Sequence, residues 1–459
     1  MKSRNNSSSS NGNKNNIGNN INNNSCNNAA ANNKIGLVRA TSLVAGNMIG
    51  SGVLLAPAIL APYGSISIIG WILTTIGALA LALAFSKLSM WIPKAGGPYT
   101  FARHVFGDFV GFQMAWGYWI SAWCGSVSLL VGGLQYMSIF CPDLVANQAF
   151  AITFGLAMIA LFTFTNTLDI SKSTFYEVII VILKIAPLVI VAFAGIFFVD
   201  FSKVFDFSSI NTSNAISSLG SMSSVLLWAF IGLESATIPV ANVKNPTKTI
   251  PLATVNGVLL TAFVYICGAV VISGIIPQAE LIVSKAPYVD AAKKIFGDWG
   301  SIFMIVTGLI GIYGSLNGWI LIQGQVPYAA AKEGLFPRYF AQSNKNGAPV
   351  GVWIGSILMA IVFLSTYQPS LVSVTELLID VSVLAMLLPY FYSAVAFCYL
   401  AITKKDMLTF TEKILLPIVG FISILYTFAA IFGSGEKLIF ISTVMFLVSV
   451  PFYCLCKKK

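Results

Sequence analysis

The chain has 459 residues, 57% of them apolar and only 9% charged, with a mean hydropathy of +0.83, whereas a soluble globular protein carries about 25% charged residues. Its net charge of +10 would suit a nucleic-acid partner, but the basic residues lie in short clusters between apolar runs rather than on one face, so no nucleic acid is expected. Seven cysteines and one histidine, without metal-ligand spacing, argue against a zinc site and a disulfide framework, and no cofactor is expected.

In chain order, residues 1–34 contain fifteen asparagines and a serine run at Ser7–Ser10. So polar a tract cannot offset its ordering entropy, and it is read as a disordered, Asn-rich cytoplasmic tail. No short apolar core follows a basic start, so the first span is expected to act as its own insertion signal. Twelve apolar runs follow, at 37–61, 66–91, 108–140, 148–167, 174–199, 220–240, 250–276, 301–330, 350–367, 374–403, 414–433 and 438–456. Their lengths suit a bilayer core of about 30 Å, which predicts an all-α integral membrane protein with twelve transmembrane helices. Lys and Arg gather on one side, from Lys34, Arg39 and Lys94 through Lys404, Lys405 and Lys457–Lys459, against Lys203, Lys285, Lys293, Lys294 and Lys437 on the other. The positive-inside rule then places both termini in the cytoplasm of a multi-pass protein of the cell inner (plasma) membrane.

The first run carries Gly46-Asn47-Met48-Ile49-Gly50-Ser51-Gly52 and then Pro57 at mid-membrane depth. Glycine costs about 1 kcal/mol in a helix interior, and unwound backbone is tolerated in a bilayer only where it lines a cavity. In the third run Tyr118, Ala122 and Ser126 recur at spacing four, a small and polar face read as pocket lining. In the fifth, Lys184 is the one basic residue between Val178 and Val199, near the midplane at about 1.5 Å per residue, where a fixed ion pair with a carboxylate such as Glu234 is one reading. The sixth run has its own anomaly, Trp228-Ala229-Phe230-Ile231-Gly232-Leu233-Glu234-Ser235 with Pro239. Asp380, two turns into the tenth run, is read as a counter-ion for a distal ammonium or guanidinium, with a structural pairing as the competing reading.

Interruptions in corresponding helices of two halves mark inverted-repeat transporters, whose substrate sits at the breaks. The halves are expected at 35–200 (helices 1–5) and 218–403 (helices 6–10), with helices 11–12 and a cytoplasmic C-terminus in 413–459. At such breaks, free N–H groups and a half-helix N-terminus hold a carboxylate, while free carbonyls accept from an ammonium. That pairing suits an amino acid.

These strings, with Pro93–Tyr99 (PKAGGPY) and Val243-Lys244-Asn245-Pro246, resemble the amino acid, polyamine and organocation transporters, and most of all bacterial arginine/agmatine antiporters. The likeness runs from about Lys34 to the end of the twelfth span. It implies a 5+5 inverted repeat with discontinuous first and sixth helices, and substrate contacts from Met48, Ile49, Gly50, Ser51 and Gly52. It further implies that Ile231 and Gly232 offer carbonyls to the α-amino group, that Trp228 gates, and that Trp319 stacks on the substrate side chain. Glu234 matches the acidic position of the sixth helix, and Lys184 resembles a lysine that replaces sodium in proton-coupled relatives. A homodimer is also implied. Ser126 stands in place of an Asn of the arginine branch, Asp380 in place of a Ser, and Lys184 in place of a small residue.

The expected function is secondary active transport, an antiporter exchanging a cationic amino acid such as arginine, lysine or ornithine for its decarboxylated amine or a related solute. A proton-coupled amino acid symporter of broader specificity is the alternative. An enzyme finds no phosphate loop, zinc pair or nucleophile elbow to support it, and isolated midplane breaks fit a channel poorly.

Overall fold

The computed structural model describes residues 34–168, 170–206, 212–367 and 374–457; the Asn-rich tract up to residue 33 lies outside them. The described residues are almost entirely helical, and their β contacts are two isolated bridges, Ile35 with Val243 and Ser343 with Pro349. The first span is split into α1 (Leu37–Met48) and α2 (Ser51–Leu60), bent by 41° at the break. Then come α3 (Ile66–Trp91), the short α4 (Pro98–Phe106), α5 (Asp108–Met137), α6 (Gln148–Asn166) and α7 (Ile170–Gly195). The second half repeats the order as α8 (Thr212–Phe230), α9 (Pro246–Ile275), the short α10 (Pro287–Phe296), α11 (Asp298–Lys332), α12 (Gly351–Ser365) and α13 (Val374–Thr403). Two further spans, α14 (Phe410–Gly433) and α15 (Glu436–Lys457), end the bundle.

Eight of these helices are long and apolar enough to cross a bilayer, nine if the bent first pair counts as one span. Ser218–Phe230 and α12 are apolar but shorter. The twelve expected spans thus appear as helices, though not all meet a simple length-and-hydropathy test. The 30-residue α5 shows why: it is rich in Gly, Ser, Trp and Tyr and most of it is buried, so packing against protein rather than lipid set its composition.

The inverted repeat is visible in the short helices. Pro98-Tyr99 leads through α4 to Phe106-Gly107-Asp108, and Pro287-Tyr288 leads through α10 to Phe296-Gly297-Asp298. Proline opens each helix, where a missing N–H is harmless, and a glycine of positive φ (86° at Gly107, 71° at Gly297) turns the chain into the following span. Tyr99 and Tyr288 are both buried. Symmetry mates also make the most extensive contacts, α5 against α11 and α3 against α9. Burial falls outward: 78% of the apolar window of α11 is covered by protein, but 11% of that of α15, whose Phe440, Leu447 and Val448 are exposed and face lipid. The chain is a multi-pass membrane protein.

Candidate functional site

The site begins with backbone that cannot stay helical. After Met48, Ile49 is extended (φ −81°, ψ 92°) and Gly50 more so (φ −128°, ψ −151°) before α2 resumes at Ser51. Close approach favours glycine here. A Cβ on Gly50 would lie 3.0 Å from Leu129 Cδ2, and one on Gly52 3.2 Å from the Trp228 ring. In the sixth span α8 stops at Phe230 and Gly232 takes φ 108°, where a Cβ would also meet Asn47 at 3.0 Å. Beyond it the chain does not regain an α-helix but runs in two 3₁₀ turns, Ser235–Thr237 and Val240–Asn242, separated by Pro239.

The two breaks face each other. Asn47 Nδ2 donates to Ser235 Oγ at 2.9 Å, and the carbonyls freed at the end of α1 are claimed by side chains from other helices. Lys184 Nζ donates to Gly46 O (2.5 Å) and Ile49 O (3.1 Å) and to Ser315 Oγ (2.9 Å), while Ser315 Oγ donates to Ile49 O at 2.6 Å. Trp319 Nε1 donates to Asn47 O at 3.2 Å. At the head of α2, the first N–H groups have no helical acceptor by position. The C-terminal ends of α1 and α8, negative poles of two half-helices, therefore converge beside the positive N-terminus of α2.

Between them lies a cavity of about 40 Å³ walled by Asn47, Met48, Gly50 and Gly52 of the first span and by Trp228 and Ile231 of the sixth. Ser121, Gly125 and Leu129 of α5, Trp319 of α11 and Ser382 of α13 complete the wall. No lining residue is charged. The volume is well below the roughly 300 Å³ of a small-ligand pocket, and the Trp228 ring lies against Gly52. Ser121 and Ser382 exchange bonds, each hydroxyl donating to the other's carbonyl at 2.7 and 2.9 Å, and so pin α5 to α13.

Beneath the cavity, toward the loop of Gly96 and Gly97, Glu234 is fully buried. Tyr118 and Tyr390 each donate a hydroxyl to one of its carboxylate oxygens, and Gly232 N–H donates to Tyr390 Oη at 3.3 Å. One carboxylate thus holds α5, the sixth-span break and α13 together.

Several expectations need correction. The face of α5 that reaches the cavity is Ser121, Gly125 and Leu129, rotated by about 60° from Tyr118, Ala122 and Ser126. Tyr118 turns to Glu234, Ala122 is buried away from the cavity, and Ser126 Oγ donates to Ala122 O at 2.7 Å within its own helix. From the tenth span Ser382 reaches the cavity; Asp380 is half-buried, has a partner of its own and lies off this wall. Glu234 is taken by two tyrosines and not by Lys184, so the fixed pair between them does not form. The Gly232 carbonyl accepts the Ser235 N–H at 3.0 Å, and of the sixth-span residues it is Trp228 and Ile231, not Gly232, that wall the cavity. The Ser51 side chain lies outside the described residues. Asn47, Ser315, Tyr265 and Tyr390 were missed by sequence reasoning, although each is a polar residue in an apolar span, a signal that could have found them.

Comparison with known proteins gives this geometry a family. The amino acid permease model matches residues 35–455. The Escherichia coli cadaverine/lysine antiporter is 34% identical over 79% of this chain and 82% of its own length. The putrescine transporter PotE is 33% identical in Escherichia coli, over 91% of this chain and 95% of the relative, and 31% in Haemophilus influenzae, over 92% and 97%. Among solved structures, the Eremococcus coleocola manganese transporter shares the fold at a TM-score of 0.56 and 11% identity, over 92% of this chain and 94% of that one. With a match over nearly the whole membrane domain, this chain belongs to the amino acid permease family and is a transporter rather than an enzyme.

Proposed function

We propose that the chain is an antiporter that exchanges a cationic amino acid for its decarboxylated amine by alternating access. The observation that carries this reading is the cavity at the paired breaks. The N-terminus of α2 offers amides to a carboxylate, and the Ile231 carbonyl just beyond the end of α8, at the cavity wall, offers an acceptor to an α-ammonium. The remaining walls are two indole faces and two serine hydroxyls without any positive charge. A second, distal ammonium is attracted to such faces by about 0.5–2 kcal/mol. A diamine lacking the carboxylate keeps both ammonium contacts and gives up only the amide contact, so one site can serve both members of an exchange pair. Arginine and agmatine remain in the substrate set, but lysine or ornithine with its diamine is favoured. The relatives named for substrates handle cadaverine, lysine and putrescine, and Ser126, buried against its own helix, offers no polar arm to a guanidinium.

A second reading, a proton-coupled symporter, is favoured by one observation: Lys184 places an ammonium on the carbonyls of the first break, where a coupling cation would otherwise be needed. Ligand-induced stabilisation of purified protein tests the substrate class, because a ligand of the folded state adds RT ln(1 + [L]/Kd). Lysine, ornithine, cadaverine and putrescine should raise the melting temperature in a saturable way and leucine should not. Equal shifts by neutral and cationic amino acids would favour the symporter.

A further inference from the structure

Tyr265 on α9 is buried in a helix that lines neither the cavity nor the Glu234 clasp. Its hydroxyl lies 2.8 Å from Met48 O and 3.0 Å from Ala229 O. Met48 is the last residue of α1, and Ala229 is the next to last of α8. Carbonyls in those positions have lost their own-helix donors because the chain breaks just beyond them. A phenol has one proton, so it is shared between the two helix ends and cannot satisfy both in full. The ring is not free to leave, because Trp71 and Phe230 each pack on it with centroids 5.4 Å away and Trp71 also packs on Phe230 at 6.3 Å. One turn earlier on the same face, Thr261 Oγ sits 3.6 Å from Met48 Sδ, so α9 holds both the backbone and the side chain of a cavity residue.

We propose that Tyr265 is a positioning residue that couples the two breaks: its one hydroxyl proton, caged by Trp71 and Phe230, ties the end of α1 to the end of α8 so that both half-helices reorient together. The proposal deepens the transport reading above and rests on it for its kinetic consequence alone. When substrate ammonium draws on the carbonyl end of one half-helix, the shared proton is released toward the other, and a change at one break is felt at both. Loss of the hydroxyl leaves two adjacent negative helix ends without a common donor. The cavity is then less well formed before substrate arrives.

The test uses full-length protein in lipid nanodiscs and proteoliposomes, wild type against Tyr265→Phe, which keeps the ring and its cage. Hydrogen–deuterium exchange should rise in peptides covering 45–52 and 229–235 together, with the rest of α9 unchanged. In counterflow the KM for the exchanged substrate should rise by on the order of tenfold, as expected for one lost buried hydrogen bond, with turnover changed much less. Faster exchange at one break alone or throughout α9, or unchanged exchange at both breaks, overturns the coupling. So does an equal fall in turnover with unchanged KM, which marks a merely structural tyrosine. If Tyr265→Phe does not reconstitute, Trp71→Phe loosens the cage and keeps the hydroxyl; it should give the same paired rise at smaller amplitude, and no rise overturns the proposal. If wild-type protein exchanges no cationic solute, the transport reading fails while the exchange data still decide the coupling.

Discussion

Replacing Lys184 by methionine removes a buried ammonium and keeps the length of the side chain. In the native arrangement Gly46 O and Ile49 O share two donors, Lys184 Nζ and Ser315 Oγ. Without the ammonium only the serine proton remains. It stays with Ile49 O, the nearer acceptor at 2.6 Å, and Gly46 O, 3.1 Å away, is left buried without a full partner. An unsatisfied buried carbonyl costs roughly 1–3 kcal/mol, which is a factor of about 5 to 150 in any equilibrium between conformations that bury it and conformations that hydrate it. Lys184→Met should therefore lower the melting temperature and favour conformations with the first break opened to water. Because Lys184 is the one ionisable side chain that donates to these carbonyls among the described residues, the pH dependence of exchange, followed between about pH 5 and 8, should flatten. Melting curves and counterflow rates over that range, normalised to folded protein, measure both effects. A variant with the wild-type melting temperature and wild-type pH profile would refute the role given to Lys184.

Gly52→Ala places a Cβ 3.2 Å from the Trp228 ring; the indole must shift, and substrate affinity should fall by on the order of tenfold while the protein still folds, as measured by ligand-induced thermal shift. Glu234→Gln can still bond both Tyr118 and Tyr390, accepting from one and donating to the other, so it should melt close to wild type. Tyr390→Phe leaves one carboxylate oxygen without a donor and should cost roughly 1–3 kcal/mol; equal melting temperatures for the two variants would contradict the clasp. Asp200, in the loop after α7, has its carboxyl held down at about 2, first by the Ser202 hydroxyl and then by Lys203. Such a depressed group stabilises the fold fully above its unfolded value of about 3.9 and loses that effect only as pH falls toward 2. Asp200→Asn should thus leave the pH profile of transport unchanged above pH 5, and a displaced profile would show that the loop takes part in coupling.

The two helix breaks were legible in the sequence because glycines and a carboxylate at mid-membrane depth have no use in a lipid-facing helix. Trp228 and Trp319 stand at the cavity for the same local reason, beside residues small enough to admit an indole. The phase of α5 was not legible. Small and polar residues occupy both Tyr118-Ala122-Ser126 and Ser121-Gly125-Leu129, so composition cannot choose between faces about 60° apart, and only the packing against α11 and α13 fixes the rotation. Asp380 misled for a related reason, since a carboxylate is the loudest residue in its span but Ser382, two positions on, points to the cavity. Partners of Lys184 are backbone carbonyls, which have no signature in a sequence. Tyrosines such as Tyr265 and Tyr390 read as core aromatics until the acceptors of their hydroxyls are known. The Pro-Tyr and Phe-Gly-Asp echoes around α4 and α10 were present in the sequence and announce the inverted repeat more plainly than hydropathy does.

Counterflow in proteoliposomes loaded with lysine, ornithine, arginine, cadaverine, putrescine, agmatine or leucine, followed by entry of the labelled amino acids, is the most direct measurement of exchange. Entry of a cationic amino acid that requires an internal cationic amino acid or diamine, and is absent from empty vesicles, is the predicted result. Entry into empty vesicles driven by a pH gradient, with leucine competing, would contradict exchange and assign the site to a proton-coupled symporter.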